Sequence, residues 1–196
     1  MLRFACTWVI GCLAANAFQP QNGLTDSGRE RDVYAIYSLM LTNPRTSHGP
    51  YDSERLLIAM TTRPPYVQLS CMRPPKEREV EFREVMADYE RRKTIPRQMK
   101  PLLSIPKPYL FLTDDDVRAF SEPTVAQRDD RFRGVSDYFT LSDVYFNRAG
   151  TLALTALSSR CGGLCGLSQL RVFEKADNGR WIERQWGLCV AIAENR

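Results

Sequence analysis

From Tyr138 onward the chain is a run of short, apolar-rich segments broken by turn residues, and this pattern constrains the fold more than any other feature. Residues 138–141, 143–147, 152–158, 170–174, 181–185 and 188–193 each read as a strand. Arg148-Ala149-Gly150 and Ala176-Asp177-Asn178-Gly179 supply turns, the second carrying the Asn-Gly pair that favours tight hairpins. Connections this short join neighbouring antiparallel strands, because a parallel crossover needs about a dozen residues or more. The last third of the chain is therefore predicted to be an antiparallel β-meander.

Helical periodicity lies upstream. Residues 29–41 place Val33, Ile36, Tyr37 and Met40 on one face, with Asp26 or Ser27 as cap and Asn43-Pro44 as stop. A second helix over 76–93 follows Pro74-Pro75. Its apolar stripe is Val80, Val85, Met86 and Tyr89, and Glu79 with Arg83 and Asp88 with Arg92 form i,i+4 pairs. Residues 55–62 and 66–71 read as strands, as do 109–112, which run into a short helix starting at Thr113. Pro96, Pro101, Pro106 and Pro108 exclude regular structure from 94–108. Helices early and strands late predict an α+β fold, with N-terminal helices packed on a disulfide-stapled C-terminal meander.

The first residues point to export. Met1-Leu2-Arg3 precedes an apolar run ending at Ala15-Asn16-Ala17, the layout of a cleavable signal peptide over 1–17. The run is shorter than the roughly 20 residues that span a bilayer, and no later segment approaches that length, so no transmembrane segment is expected. A second reading of the same stretch is the lipobox Val9-Ile10-Gly11-Cys12, with Cys12 acylated as a lipid anchor. Residues 18–28 are polar and turn-rich, a flexible lead-in to one domain over 29–196. The expected location is periplasmic or extracellular.

Four cysteines follow the signal segment: Cys71, Cys161, Cys165 and Cys189. In an oxidising compartment they predict two disulfides, with three possible connectivities. The Gly-Gly-Leu loop permits local closure of Cys161 with Cys165, leaving Cys71 for Cys189.

Phe146-Asn147-Arg148-Ala149-Gly150-Thr151-Leu152-Ala153-Leu154, then Cys161-Gly162-Gly163-Leu164-Cys165-Gly166, then Asn178-Gly179-Arg180-Trp181 resembles a pattern in uncharacterised exported bacterial proteins. The likeness covers residues 143–185. It implies an exported domain to which no biochemical role is attached.

Candidate chemistry is sparse. Cys161 and Cys165 lack the C-x-x-C spacing of a thioredoxin-type centre, and a Cys3His zinc set would need Cys161, Cys165, Cys189 and His48 to converge. His48 sits in a polar loop with Ser47 and Asp52, but no G-x-S-x-G elbow or H-E-x-x-H pattern accompanies it. Asp114, Asp115 and Asp116 lack calcium-loop spacing and suit a helix N-terminus. Trp181, Trp186, Tyr138, Phe139, Tyr145 and Phe146 suit either a ligand-stacking face or cross-strand core packing, and the latter is the expectation. The net charge of +4 is spread among alternating signs, which does not predict nucleic-acid binding. No metal or cofactor is expected. The sequence thus predicts an exported binding or envelope-associated domain without catalysis; the alternative is an exported hydrolase using His48 with Asp52 or a distant acid.

Overall fold

The computed structural model describes residues 26–46, 49–122, 129–161 and 166–193. In chain order these form α1 (Asp26–Thr42), β1 (Arg45–Thr46), β2 (Gly49–Pro50), β3 (Leu56–Ala59), α2 (Glu79–Arg92), β4 (Tyr109–Leu112), α3 (Asp114–Ser121), β5 (Tyr138–Leu141), β6 (Tyr145–Phe146), β7 (Leu152–Arg160), β8 (Gly166–Lys175) and β9 (Trp181–Ala193). The fold is α+β. A seven-stranded sheet has the order β4-β3-β5-β7-β8-β9, with β6 also paired to β7, and β1 and β2 form a separate small ribbon.

The β7-β8-β9 meander is antiparallel, as its short turns predict. The other half of the sheet is not a meander. β3 lies between β4 and β5 and is parallel to both. The connections explain this: β3 reaches β4 through α2 and the proline-rich segment, and β4 reaches β5 through α3, so both are long enough to cross over.

Both faces of the sheet are covered. Along β3, Leu56 and Ile58 face α1, while Leu57 and Ala59 face α3. α1 packs Val33, Ile36, Tyr37 and Met40 against Phe139, Leu141, Leu157 and Phe173. On the opposite face α2 covers Leu154, Leu170 and Val172, and α3 covers Leu112 and Tyr138. Two-sided burial is why these strands read as nearly continuous apolar runs.

Several boundaries differ from the sequence prediction. α1 starts at Asp26, inside the stretch expected to be a lead-in. Residues 66–71 do not form a strand; a 3-10 turn, Leu69–Cys71, lies there, and the segment crosses the sheet face by packing Val67 and Met72 beneath α2. Lys76–Arg78 is a 3-10 turn ahead of α2, and Val80 is exposed. The buried stripe of α2 is instead Val85, Asp88 and Tyr89. A carboxylate holds a core position there because ion partners surround it.

The two strands expected at 181–185 and 188–193 are one continuous strand, β9, with an irregularity. Pairing jumps from Val172 opposite Arg184 to Leu170 opposite Cys189. Gly187 makes the jump possible, since a Cβ there would lie 2.3 Å from Val172 Cβ. Cys189, just beyond, bonds to Cys71 across 118 residues, with the two Cα atoms 6.0 Å apart. A closed loop of that length restricts the unfolded chain by about 4–5 kcal/mol on the entropic account.

The conspicuous residues near the β8–β9 turn hold α1 in place. Lys175 Nζ and Trp181 Nε1 donate to the two carboxylate oxygens of Asp32 on α1, at 2.7 and 3.2 Å. Gly179, at φ +79°, makes the turn that brings Trp181 back over Lys175. Asp32→Ala would leave a half-buried ammonium and an indole N–H without their acceptor. Chemical denaturation should show a loss of about 2–3 kcal/mol, with Asp32→Asn losing less because it keeps an acceptor for Trp181.

Candidate functional site

Residues singled out in the sequence divide into those that serve the fold and those that face open space. Asn147 belongs to the first group. Its carbonyl oxygen accepts from the Thr151 and Leu152 amides at 2.8 and 2.9 Å, and its amide donates to Thr151 Oγ1 at 3.0 Å. With Gly150 at φ +69°, this closes the β6–β7 turn. The Asn-x-x-Gly-Thr element is a turn lock.

The aromatic residues are packing elements. Trp181 tilts against Phe146 at 5.8 Å, Tyr89 meets Tyr145 edge-on at 5.1 Å, and Phe120 meets Tyr138 at 5.4 Å. Trp186 meets Phe82 of α2 at 6.0 Å. Each contact joins a strand to a neighbouring layer or to its own core cluster, and together they leave no continuous stacking face on the meander.

Two of the four cysteines form the Cys71–Cys189 bridge, so Cys189 is not available as a thiolate ligand. Cys161 is also disulfide-bonded. Cys165 and His48 lie outside the described residues, as do Cys12 and the whole of 1–25. Among the described residues no group of three His, Cys, Asp or Glu side chains is placed to hold a metal ion. None of the described helices is long and apolar enough to cross a membrane.

The aspartates at 114–116 divide their labour. Thr113 Oγ1 accepts from the Asp116 amide at 3.2 Å, while the Asp116 carboxylate accepts from the Thr113 amide at 3.0 Å, a reciprocal cap. Asp114 pairs with Arg63 and Asp115 with Arg118. The bonds from the Thr113 hydroxyl and amide hold the Asp116 carboxyl below its ordinary value, and Arg131 adds to the effect.

Asp52 is exposed at the rim of a concavity of about 930 Å³, lined also by Glu54, Arg55, Tyr109, Arg131 and Val135. This hollow sits at the amino-terminal ends of the parallel strands β3 and β4. Its arginines are already engaged. Arg55 donates to the carbonyls of Asp130 and Arg133 at 3.3 and 3.4 Å, and Arg131 pairs with Asp116 and Asp129. The hollow is mixed in charge, open, and braced by its own ion pairs.

A smaller concavity of about 250 Å³ lies on the α2 face, where β7, β8 and β9 run side by side. Ser158, Ser168 and Ala191 are neighbours across the three strands and form its floor, while Tyr66 and Arg160 form its walls. The serine hydroxyls are 2.7 Å apart, and the Arg160 guanidinium lies 4.5 Å from the Tyr66 ring centroid. None of these residues stands out in the sequence. The signal available was the pairing of Arg160 with the last glycine of the Cys-Gly-Gly-Leu-Cys-Gly run, which becomes visible only once strand register is known.

No family model, curated protein or solved structure matches this chain in comparison with known proteins. The site must therefore be interpreted from its own geometry.

The cap has a measurable pH signature. A carboxyl lowered by folding stabilises the protein above its unfolded value near 3.8, and that contribution is lost as pH falls through the lowered folded value. NMR titration should place the Asp116 midpoint below 3.8. Thr113→Ala should move the midpoint up and destabilise the protein by about 1 kcal/mol.

Proposed function

We propose that this chain is an exported, disulfide-stapled domain that binds a ligand or an envelope component and performs no chemistry of its own. The observation that carries the reading is the use to which four buried ionisable groups, Asp32, Tyr37, Asp88 and Asp143, are put. Asp32 joins α1 to the β8–β9 turn, and Asp143 accepts from Arg92, Arg97 and the Val144 amide. Asp88 accepts from Arg29, Arg91, Arg92 and the Phe146 amide. Tyr37 donates its hydroxyl to the Ser142 carbonyl at 2.8 Å, and burial pushes its phenol well above the ordinary range. The carboxylates of Asp32, Asp88 and Asp143 are each fixed by two or more partners, whereas a general acid or base must exchange a proton with substrate.

Two further features support export. The Cys71–Cys189 bridge suits an oxidising compartment, as does the engagement of Cys161 in a disulfide. The start of the chain carries the signal-peptide pattern.

The test is an intact mass. The full chain is expressed with its own N-terminus in a bacterium, recovered from the envelope fraction, and alkylated without reduction. The expected product begins at Phe18 and carries no alkyl group. A full-length cytoplasmic product with alkylated thiols would overturn the reading.

A further inference from the structure

The small groove between Tyr66 and β7–β9 has the features of a built anion seat. Arg160 ends β7, and the residue opposite it in the ladder is Gly166. Because that position has no side chain, the stem of Arg160 can lie against it. A Cβ on Gly166 would fall 2.9 Å from the Ser159 carbonyl oxygen and 3.3 Å from Arg160 Cδ. The notch thus sets the path of the arginine and delivers its guanidinium onto Tyr66.

Tyr66 is 65% exposed, and its ring carries the Arg160 guanidinium at 4.5 Å. Stacking uses the face of the guanidinium and leaves its in-plane N–H fork available. Among the described residues no carboxylate meets the fork, and none of the groove's described lining residues is acidic. An arginine aimed by its surroundings, with no carboxylate partner among the described residues, is poised for bidentate contact with an oxyanion.

The floor adds polar capacity. Ser158 and Ser168 are 5% and 7% exposed, and their hydroxyls bond to each other at 2.7 Å. That single bond leaves one hydroxyl proton and several lone pairs unused. The walls are also tied together. The segment that carries Tyr66 continues to Cys71, which is bonded to Cys189 on β9, two residues from Ala191 on the floor. The disulfide thereby fixes the separation of Tyr66 from the sheet.

We propose that this groove binds a small oxyanionic ligand, a carboxylate or a phosphate, held bidentate by Arg160 with its polar remainder over the Ser158 and Ser168 hydroxyls. The volume of about 250 Å³ is below that of drug-sized pockets, so the ligand is a small molecule and not an extended chain. This inference deepens the binding reading by naming a ligand class, and it rests on that reading for its biological sense. It does not depend on export.

The purified, oxidised protein is titrated with sodium acetate and, separately, with inorganic phosphate at constant ionic strength. Arg160 Hε and the Gly166 and Ser168 amides are followed by NMR. The expected result is saturable shifts confined to this groove, and the stronger of the two anions identifies the source chemistry. Arg160→Gln should weaken binding about tenfold or more, and Arg160→Lys should also weaken it, because charge is kept but the fork is lost. Tyr66→Leu should weaken it while leaving the fold unchanged. Non-saturating shifts spread over surface arginines, or saturable ones unchanged in Arg160→Gln, would overturn the proposal. Failure here leaves the intact-mass result untouched, so the two readings fail separately.

Discussion

Asp88 is the point on which the helical layers and the sheet converge. Its carboxylate, buried beneath α2, accepts from Arg29 of α1 at 2.7 Å, from Arg92 at 2.9 Å and from the Phe146 amide of β6 at 3.0 Å. Removing a carboxylate from water costs several kcal/mol, and a single partner seldom offsets that. Here several donors do so together, from α1, from α2 itself and from β6. Arg92 then passes the connection to Asp143, which Arg97 also holds at 2.9 Å. Arg97 lies in the proline-rich segment, whose amide at this position donates to Thr62 Oγ1 just past β3. One connected set of charges therefore fixes α1, α2, β6 and the irregular connector that leads to β4.

This arrangement bears on function by exclusion and by contrast. The buried acids Asp32, Asp88 and Asp143 serve the architecture, and the aromatic side chains Trp181, Tyr145 and Tyr138 pack against neighbouring layers. Two concavities bordered by arginine differ in how far their polar groups are engaged. In the large hollow at the start of β3 and β4, the arginines are already satisfied by carboxylates and carbonyls. In the small groove beside the disulfide, Arg160 is oriented by Gly166 and Tyr66 and meets no acid among the described residues. The difference between these two hollows is one of hydrogen-bond satisfaction more than of size.

Much of the fold was legible from the sequence because local chemistry determined it. The Asn-Gly turn, the Thr113 cap and β4 and β5 depended on a few neighbouring residues, and the structure contains each of them. The pairing of Cys71 with Cys189 was expected as the remainder once Cys161 closed locally, and that bridge is present. What was not legible depended on partners distant in sequence. Short, wholly buried strands such as β3 carry no mark of whether a neighbour runs parallel or antiparallel. The helical period of α2 pointed to Val80 as core, whereas Asp88 occupies the core and Val80 is exposed, because Arg29 of α1 and the Phe146 amide of β6 join Arg91 and Arg92 of α2 in making burial of Asp88 tolerable. The sequence divides 181–185 from 188–193 as two strands; Gly187, between them, lets one continuous strand pass close to Val172. Arg160 appeared as one arginine among many until the register placed a glycine opposite it.

The central claim is that the Asp88 cluster joins the layers into one cooperative unit. Native-state hydrogen exchange of the Phe146 amide tests it most directly, because that amide is short-strand backbone whose acceptor is the Asp88 carboxylate. If the cluster holds the layers together, Phe146 should exchange only through global unfolding, with the same opening free energy as the β7 and β8 core amides. If Phe146 instead exchanges through a low-energy local opening while β7 and β8 stay protected, α2 and β6 detach as a separate unit and the account is wrong.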